Sequence, residues 1–442
     1  MEIRNKATKI SLFNFSTPQM RAFHMSWFAF FLCFFAWFGI APLMVIVRDE
    51  LGLTKEQVGN TIIASVFMTV IARLAIGWCC DRFGPRLSYT GVLILGSIPV
   101  MGIGFAQTYE TFLLFRLGIG VIGASFVITQ YHTSVMFAPN IVGTANATTA
   151  GWGNCGGGVN QLAMPLLFSA LVVLGIGEFW AWRVAMVIAG LVCFLTGIAY
   201  YKFTQDLPDG NFKELRAAGK YPEPKKSEST FREAAGNYRV WILFLAYGAC
   251  FGVELTLINT SALYFADYFG LGYLGAGAVA AVFGLTNLFA RTLGGYLSDL
   301  YGGRGGPRGG LEGRVKLLVA VLALEGVALI AYSRMETLWL ALTLMVIFSI
   351  FTKMSTGATF SIVPFISKRA LGSVAGIVGA GGNFGAVMAA FLFRSDSLSW
   401  PDALLILGIA VIICAGITTS IRFPQTHENE NADTPINLQT AA

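Results

Sequence analysis

Twelve long, nearly uncharged apolar runs dominate this chain, and they fix the solvent in which it folds. They fall at approximately 22–47, 58–80, 87–106, 111–137, 142–174, 181–201, 238–266, 273–297, 315–333, 338–363, 371–393 and 401–421. Each is near or above the ~20 residues with which an α-helix crosses a bilayer. None alternates as a barrel strand does, and open sheet edges do not cross lipid. The predicted fold is therefore an all-α integral membrane protein with twelve transmembrane helices. The run at 142–174 exceeds one crossing and reads as a helix with extramembrane turns. The run starting near Ala22 is too long for a cleavable signal and reads as a retained first helix.

Composition removes the main alternatives. Of the 442 residues, 55% are hydrophobic and 12% charged, about half the charged share of a soluble domain. The seven cysteines lie in apolar stretches without a C-x-x-C pair, and there are three histidines. Neither a disulfide framework nor a zinc or haem site follows, and no cofactor or nucleic-acid partner is expected. Clustered His, Cys or carboxylate motifs that would speak for an enzyme are missing, as is a soluble signalling domain that would speak for a sensor.

Charge placement sets the topology. One long polar segment parts the runs six from six, giving an N-terminal six-helix bundle (1–201), a linker (202–237, with Lys225 and Lys226), a C-terminal six-helix bundle (238–424) and a short polar tail (425–442). With the N-terminus inside, Arg4, Lys6, Lys9, Arg21, Arg82, Arg86, Arg304, Arg308, Arg314, Lys316, Lys368, Arg369 and Arg422 share one face. Only Arg48, Lys55, Arg183, Arg334 and Arg394 fall on the other. The excess of cations on inside loops predicts that both ends are cytoplasmic.

The halves repeat. Ala72-Arg-Leu-Ala-Ile-Gly-Trp-Cys-Cys-Asp-Arg-Phe-Gly84 aligns with Ala290-Arg-Thr-Leu-Gly-Gly-Tyr-Leu-Ser-Asp-Leu-Tyr-Gly302. Gly151-Trp-Gly-Asn-Cys-Gly-Gly-Gly158 pairs with Gly379-Ala-Gly-Gly-Asn-Phe-Gly385. Duplicated halves rocking about a midplane site are the architecture of secondary transporters.

Arg73 and Arg291 lie eight residues, about 12 Å, from Asp81 and Asp299 at the helix ends, and so near the bilayer centre. A lipid-facing arginine there costs at least ~2.5 kcal/mol, so both should point inward. Two guanidinia about 8 Å apart repel by about 2 kcal/mol at an effective dielectric of 20. A small planar oxyanion between the two forks reverses that sign. The embedded cations Arg73, Arg116, Arg291 and Lys353 outnumber the embedded acids Glu254 and Glu325. The residues alone thus point to an anion transporter.

Other candidates carry two readings each. The Gly-Asn glycines pack helices closely or line the substrate, while the amides of Asn154 and Asn383 need partners at lipid depth. Tyr247 and Phe251 share a helix face at i, i+4, and Phe126 lies midway along the fourth helix; they are packing residues or a flat slot. Glu254 is a reversible proton site or a fixed salt bridge to Arg291 or Lys353. Glu325 reads as structural or as facing a cytoplasmic-side cavity, and His132 as a packed, hydrogen-bonded residue. Asp81, Arg82, Arg86 and Asp299 are expected to latch the halves together in one state.

The stretch Gly77 to Arg86 resembles the loop 2–3 signature of the major facilitator superfamily, with Asp299, Gly302 and Arg304 as a weaker copy. The two Gly-Asn segments resemble the nitrate signatures of the nitrate/nitrite porter family. They supply Gly151, Gly153, Gly156 and Gly157 in the first and Gly379, Gly381, Gly382 and Gly385 in the second. Gln205-Asp-Leu-Pro-Asp-Gly-Asn211 and Gly357-Ala-Thr-Phe-Ser-Ile-Val-Pro-Phe365 are closer to its plant, algal and cyanobacterial branch. The resemblance, spanning about Phe13 to Pro424, implies nitrate and nitrite as substrates. Arg73 and Arg291 would hold the anion, Asn154 would hydrogen-bond it, and Phe126, Tyr247 and Phe251 would form the slot. It also implies uptake across a bacterial inner membrane by a monomer. Coupling is to protons, with Glu254 as carrier, or to nitrite in electroneutral exchange; an organic-anion or phosphate exchanger is the remaining alternative. Plant-like members have a longer tail than His427 to Ala442.

Overall fold

The structure is a computed structural model, and it describes residues 5–220, 230–271, 273–303, 310–394 and 398–423. The expected tail 425–442, the linker residues 221–229 with Lys225 and Lys226, and Arg4, Arg304 and Arg308 lie outside the described residues.

Among the described residues, twelve helices are long and apolar enough to cross a membrane. They are α1 (Pro18–Leu43), α2 (Glu56–Phe83), α3 (Pro85–Phe105), α4 (Tyr109–Met136), α5 (Val142–Val173), α6 (Glu178–Phe203), α7 (Tyr238–Ser261), α8 (Ala278–Gly302), α9 (Gly310–Ser333), α10 (Leu338–Phe365), α11 (Leu371–Phe393) and α12 (Trp400–Thr418). Large apolar side chains such as Leu95, Leu166, Trp339 and Ile413 are more than half exposed around the outside, as lipid contact requires.

Local chemistry starts these helices where the runs begin. Thr17 caps α1 with Pro18 in the first turn, accepting from Met20 N at 3.3 Å. Thr54 and Gln57 form a capping box at α2, and Thr108 and Thr111 one at α4. Between α2 and α3, Gly84 takes φ +87°; a Cβ there would also sit 2.5 Å from the Asp206 carboxylate, so only glycine fits.

Two findings depart from the sequence reading. The run at 142–174 is one continuous helix of 32 residues, unbroken at either end. Pro165 removes one backbone donor but leaves the helix intact, because neighbouring spans support it. Conversely, two spans are interrupted. α4 passes through a 3₁₀ segment at Gly120–Ala124, and α8 through one at Thr286–Leu288. Their carbonyls accept from neighbouring helices: Gly120 O from Thr69 Oγ1 (2.6 Å), Gly123 O from Arg73 Nε (3.3 Å) and Leu288 O from Trp152 Nε1 (3.3 Å).

The first six spans meet the last six chiefly where α2 packs on α11 and α5 on α8. Both crossings are built on glycine. A Cβ on Gly77 would strike the backbone of Gly372, and one on Gly295 the backbone of Gly143.

Candidate functional site

Arg73 and Arg291 are both 0% exposed. Arg73 donates Nε to Gly123 O on α4 and Nη1 to Gly379 O on α11. Arg291, just past the break in α8, donates Nη2 to the Tyr247 hydroxyl at 3.0 Å. Three guanidinium nitrogens, Arg73 Nη2 and Arg291 Nε and Nη1, donate to none of the described residues.

Both guanidinia lie over the same two rings. Arg73 is 5.0 Å from the Phe126 centroid and 5.4 Å from that of Phe251. Arg291 is 5.4 and 5.7 Å from the same centroids. The Phe126, Tyr247 and Phe251 rings are nearly parallel, with mutual interplanar angles of 10–13° and centroid separations of 5.0–6.1 Å. The ring quadrupoles offset part of the desolvation of two buried cations. The remaining donors belong to guanidinia that share the same two ring faces, an arrangement that can divide the charge of a small planar anion between two forks.

The Gly-Asn segments frame this cluster. Gly151 and Gly158 flank Asn154 at i−3 and i+4 and lie against Asn287, Arg291 and Gly284 of α8. Asn154 therefore belongs to the α8-facing stripe of α5. Gly376 and Gly379 likewise face Arg73, which places Asn383 on the same stripe of α11. Both amides are buried and bond to none of the described residues. The other signature glycines admit neighbours: Gly153, Gly156 and Gly157 lie against Phe30, Phe31 and Phe38 of α1. Gly381 and Gly385 meet the α7 backbone, and Gly382 faces the Tyr247 and Phe251 rings.

Glu254 and Lys353, each 0% exposed, form an ion pair at 3.1 Å. Asn287 Nδ2 donates to the same Glu254 oxygen at 2.7 Å, and Lys353 Nζ lies 3.8 Å from the Phe283 centroid. Of the two sequence readings of Glu254, the fixed bridge is what the geometry presents. Arg116 sits apart, donating to Trp37 O at 3.2 Å.

Asp81 and Asp299 each cap a helix of the opposite half. Asp81 accepts from Gly372 N (2.8 Å), Ser373 N (2.9 Å) and Ser373 Oγ (2.7 Å) at the start of α11. Asp299 accepts from Gly143 N (3.0 Å), Thr144 N (2.5 Å) and Thr144 Oγ1 (2.7 Å) at the start of α5, and pairs with Arg314 at 2.7 Å. Helix N-termini favour such carboxylates. Arg82 and Arg86, expected in the same latch, are elsewhere. Arg82 stacks on Trp78 and Phe83. Arg86 donates N to Asp206 Oδ1 and Nε to Tyr201 O, bracing the chain that leaves α6. Burial pushes the Asp206 carboxyl above its ordinary value, against the Phe212 and Arg86 amides that donate to it.

The Major Facilitator Superfamily profile matches residues 26–311. The chain belongs to that superfamily. It is a multi-pass membrane transporter, and within the superfamily it falls with the nitrate transporters of plants, algae and cyanobacteria. It is 41% identical to "High affinity nitrate transporter 2.5" of Arabidopsis thaliana, over 96% of this chain and 84% of that one. It is 30% identical to "Nitrate/nitrite transporter NrtP" of Nostoc punctiforme, over 91% and 92%. The solved proton:xylose symporter XylE superposes with a TM-score of 0.71 at 14% identity, over 91% of this chain and 95% of that one, and shares the fold.

Sequence reading of this transporter missed Phe360. Its ring stands edge-on to Phe126 (4.6 Å) and Tyr247 (4.8 Å), closing the slot from α10. No spacing singled it out among 36 phenylalanines. The Gly123 carbonyl was missed as well, although the Gly120-Val-Ile-Gly123 pair offered a signal for the break that presents it.

Proposed function

We propose that this transporter takes up nitrate, and nitrite with it, by alternating access and in symport with protons. The observation that carries the reading is the arginine pair over shared rings, with three guanidinium nitrogens left to donate. Nitrate is planar, carries one negative charge and presents three acceptor oxygens, so it can lie beside the ring faces while two forks share its charge. The names of the relatives support the same substrates. Phosphate, tetrahedral, and a bulky organic anion both fit a narrow ring-walled slot less well.

In this reading residues 1–201 and 238–424 are the rocking halves, joined by 202–237 and followed by the tail. The basic face is cytoplasmic, in a bacterial inner membrane, and is the side on which Asp81 and Asp299 hold the halves together. Asn154 and Asn383 hydrogen-bond the anion as the halves close. Inward movement of a monoanion against a negative interior costs about 2.3 kcal/mol per 100 mV, so uptake needs a driving ion. The chain works as a monomer.

Purified protein in proteoliposomes tests the substrate. Nitrate influx should exceed that of protein-free vesicles, and nitrite should compete while phosphate should not. Absence of nitrate influx, or equal competition by phosphate, overturns the reading.

A further inference from the structure

Among the described residues, Glu325 on α9 is a fully buried carboxylate within a span that the site geometry leaves unassigned. It is 0% exposed, and neither of its oxygens accepts a hydrogen bond from the described residues. On the adjacent α10, the hydroxyls of Thr352 and Ser355 donate to the helix carbonyls of Phe348 (3.0 Å) and Phe351 (2.9 Å). Helix α9 packs on α10, the helix that carries Lys353, and on α12; Lys353 in turn pairs with Glu254 of α7.

We propose that Glu325, not Glu254, carries the proton, and that Lys353 conveys its charge state to the arginine pair. The proposal rests on the proton-symport reading above. Glu254 is committed: one of its oxygens holds both Lys353 and Asn287, and protonating it would strand a buried lysine. Glu325 has no such commitment. Its two buried oxygens are held by none of the described residues, so the scaffold ties it to neither protonation state.

Charge balance links the proton to the anion. The buried charges Arg73, Arg291 and Lys353, set against Glu254 and Glu325, leave one surplus positive charge. A bound nitrate cancels that surplus, and a proton on Glu325 restores it. The empty carrier with Glu325 ionised and the loaded carrier with Glu325 protonated therefore present the same interior charge to the membrane as they reorient. Binding is mutually reinforcing, because the added anion favours the proton and the proton favours the anion by the same factor. The step forms one O–H bond on the outer side and breaks it on the inner side, and nothing is oxidised or reduced.

The test uses the full chain in proteoliposomes holding a pH-sensitive dye. In the parent protein, nitrate influx should acidify the lumen. In Glu325→Gln, nitrate-for-nitrate counterflow should continue while acidification and pH-driven accumulation are lost. Acidification that persists in Glu325→Gln overturns the assignment to Glu325. Absence of acidification in the parent overturns proton symport itself. Should Glu325→Gln fail to fold, Glu325→Asp keeps the carboxyl. Nitrate should then raise a protonated-carboxyl infrared band in the parent that changes frequency in Glu325→Asp, and an unchanged band sinks the proposal.

Discussion

Arg73, on α2, donates Nη1 to the backbone carbonyl of Gly379, on α11. The clamp arginine is thus also a tie between the first six spans and the last six, and its Nε is held by Gly123 O within the interruption of α4. Lysine has one ammonium on a flexible stem and cannot span both carbonyls while facing an anion. Charge-assisted hydrogen bonds contribute about 1.5–3 kcal/mol each. Arg73→Lys should therefore weaken nitrate binding by about 3 kcal/mol, on the order of 100-fold, in a folded protein. Calorimetric titration with nitrate checks this, and binding within a few-fold of the parent would remove the clamp.

The two aspartate caps predict a conformational shift. Asp81→Asn keeps the shape but turns an amide toward the Gly372 and Ser373 donors. Losing charge-assisted bonds of about 1.5–3 kcal/mol should move the equilibrium about 10- to 100-fold toward opening of the basic face. Spin labels on the exposed Lys202 and Lys368 should report longer distances in the variant. An unchanged distribution would mean that the glycine contacts of Gly77 and Gly372 hold that face shut unaided.

The N-terminal segment predicts a pH effect. Ala7 N donates to Met136 O (3.0 Å), Ala138 N to Ala7 O (2.9 Å), and Lys6 Nζ to Ser134 O (3.0 Å), so this segment docks on the loop after α4. Burial, and then Lys368, lowers the Lys6 pKa from 10.5 to about 8. The undocked segment binds the proton more tightly, so docking strengthens as pH rises from about 8 to 10.5 and is flat below about 8. Lys6→Met should abolish that dependence. Protection factors of the Ala7 and Ala138 amides, corrected for intrinsic exchange, measure it.

The signature glycines separate by what an added methyl meets. In Gly382→Ala the Cβ would lie 2.5 Å from Phe251 Cδ1 and 2.8 Å from the Tyr247 ring, so the slot rings shift. In Gly385→Ala it would strike the Gly248 backbone, which cannot rotate away. Overpacking costs about 1–3 kcal/mol. Gly382→Ala should keep its thermal stability within that range and lose nitrate affinity, whereas Gly385→Ala should lose assembly of α7 on α11. The reverse pattern in unfolding and binding measurements would reassign Gly382 to packing.

These residues also show where sequence suffices. The spans, the burial of Arg73 and Arg291 and the repeated aspartates follow from hydropathy and an eight-residue count, because lipid punishes misplaced charge. The interruption of α8 did not follow, since a 3₁₀ turn keeps the same apolar composition as the helix around it, and that of α4 was marked only by the Gly120 and Gly123 pair. Phe360 was hidden for the same reason. Lys353 had no account until α10 was placed beside Glu254; sequence counts charges but does not pair them across helices.

That pair yields the last prediction. Lys353→Met leaves Glu254 with Asn287 as its remaining partner, and Glu254→Gln leaves Lys353 charged against Phe283. Removing one member of a buried pair costs about 3–5 kcal/mol, while replacing both is nearly neutral. Each single variant should unfold at a markedly lower temperature in detergent, and the combined Lys353→Met, Glu254→Gln protein should recover most of the loss. A double-mutant cycle gives the coupling directly. If Glu254→Gln alone left stability unchanged, Glu254 would be free to change charge. It would then compete with Glu325 for the proton, and the interior charge balance would have to be redrawn around it.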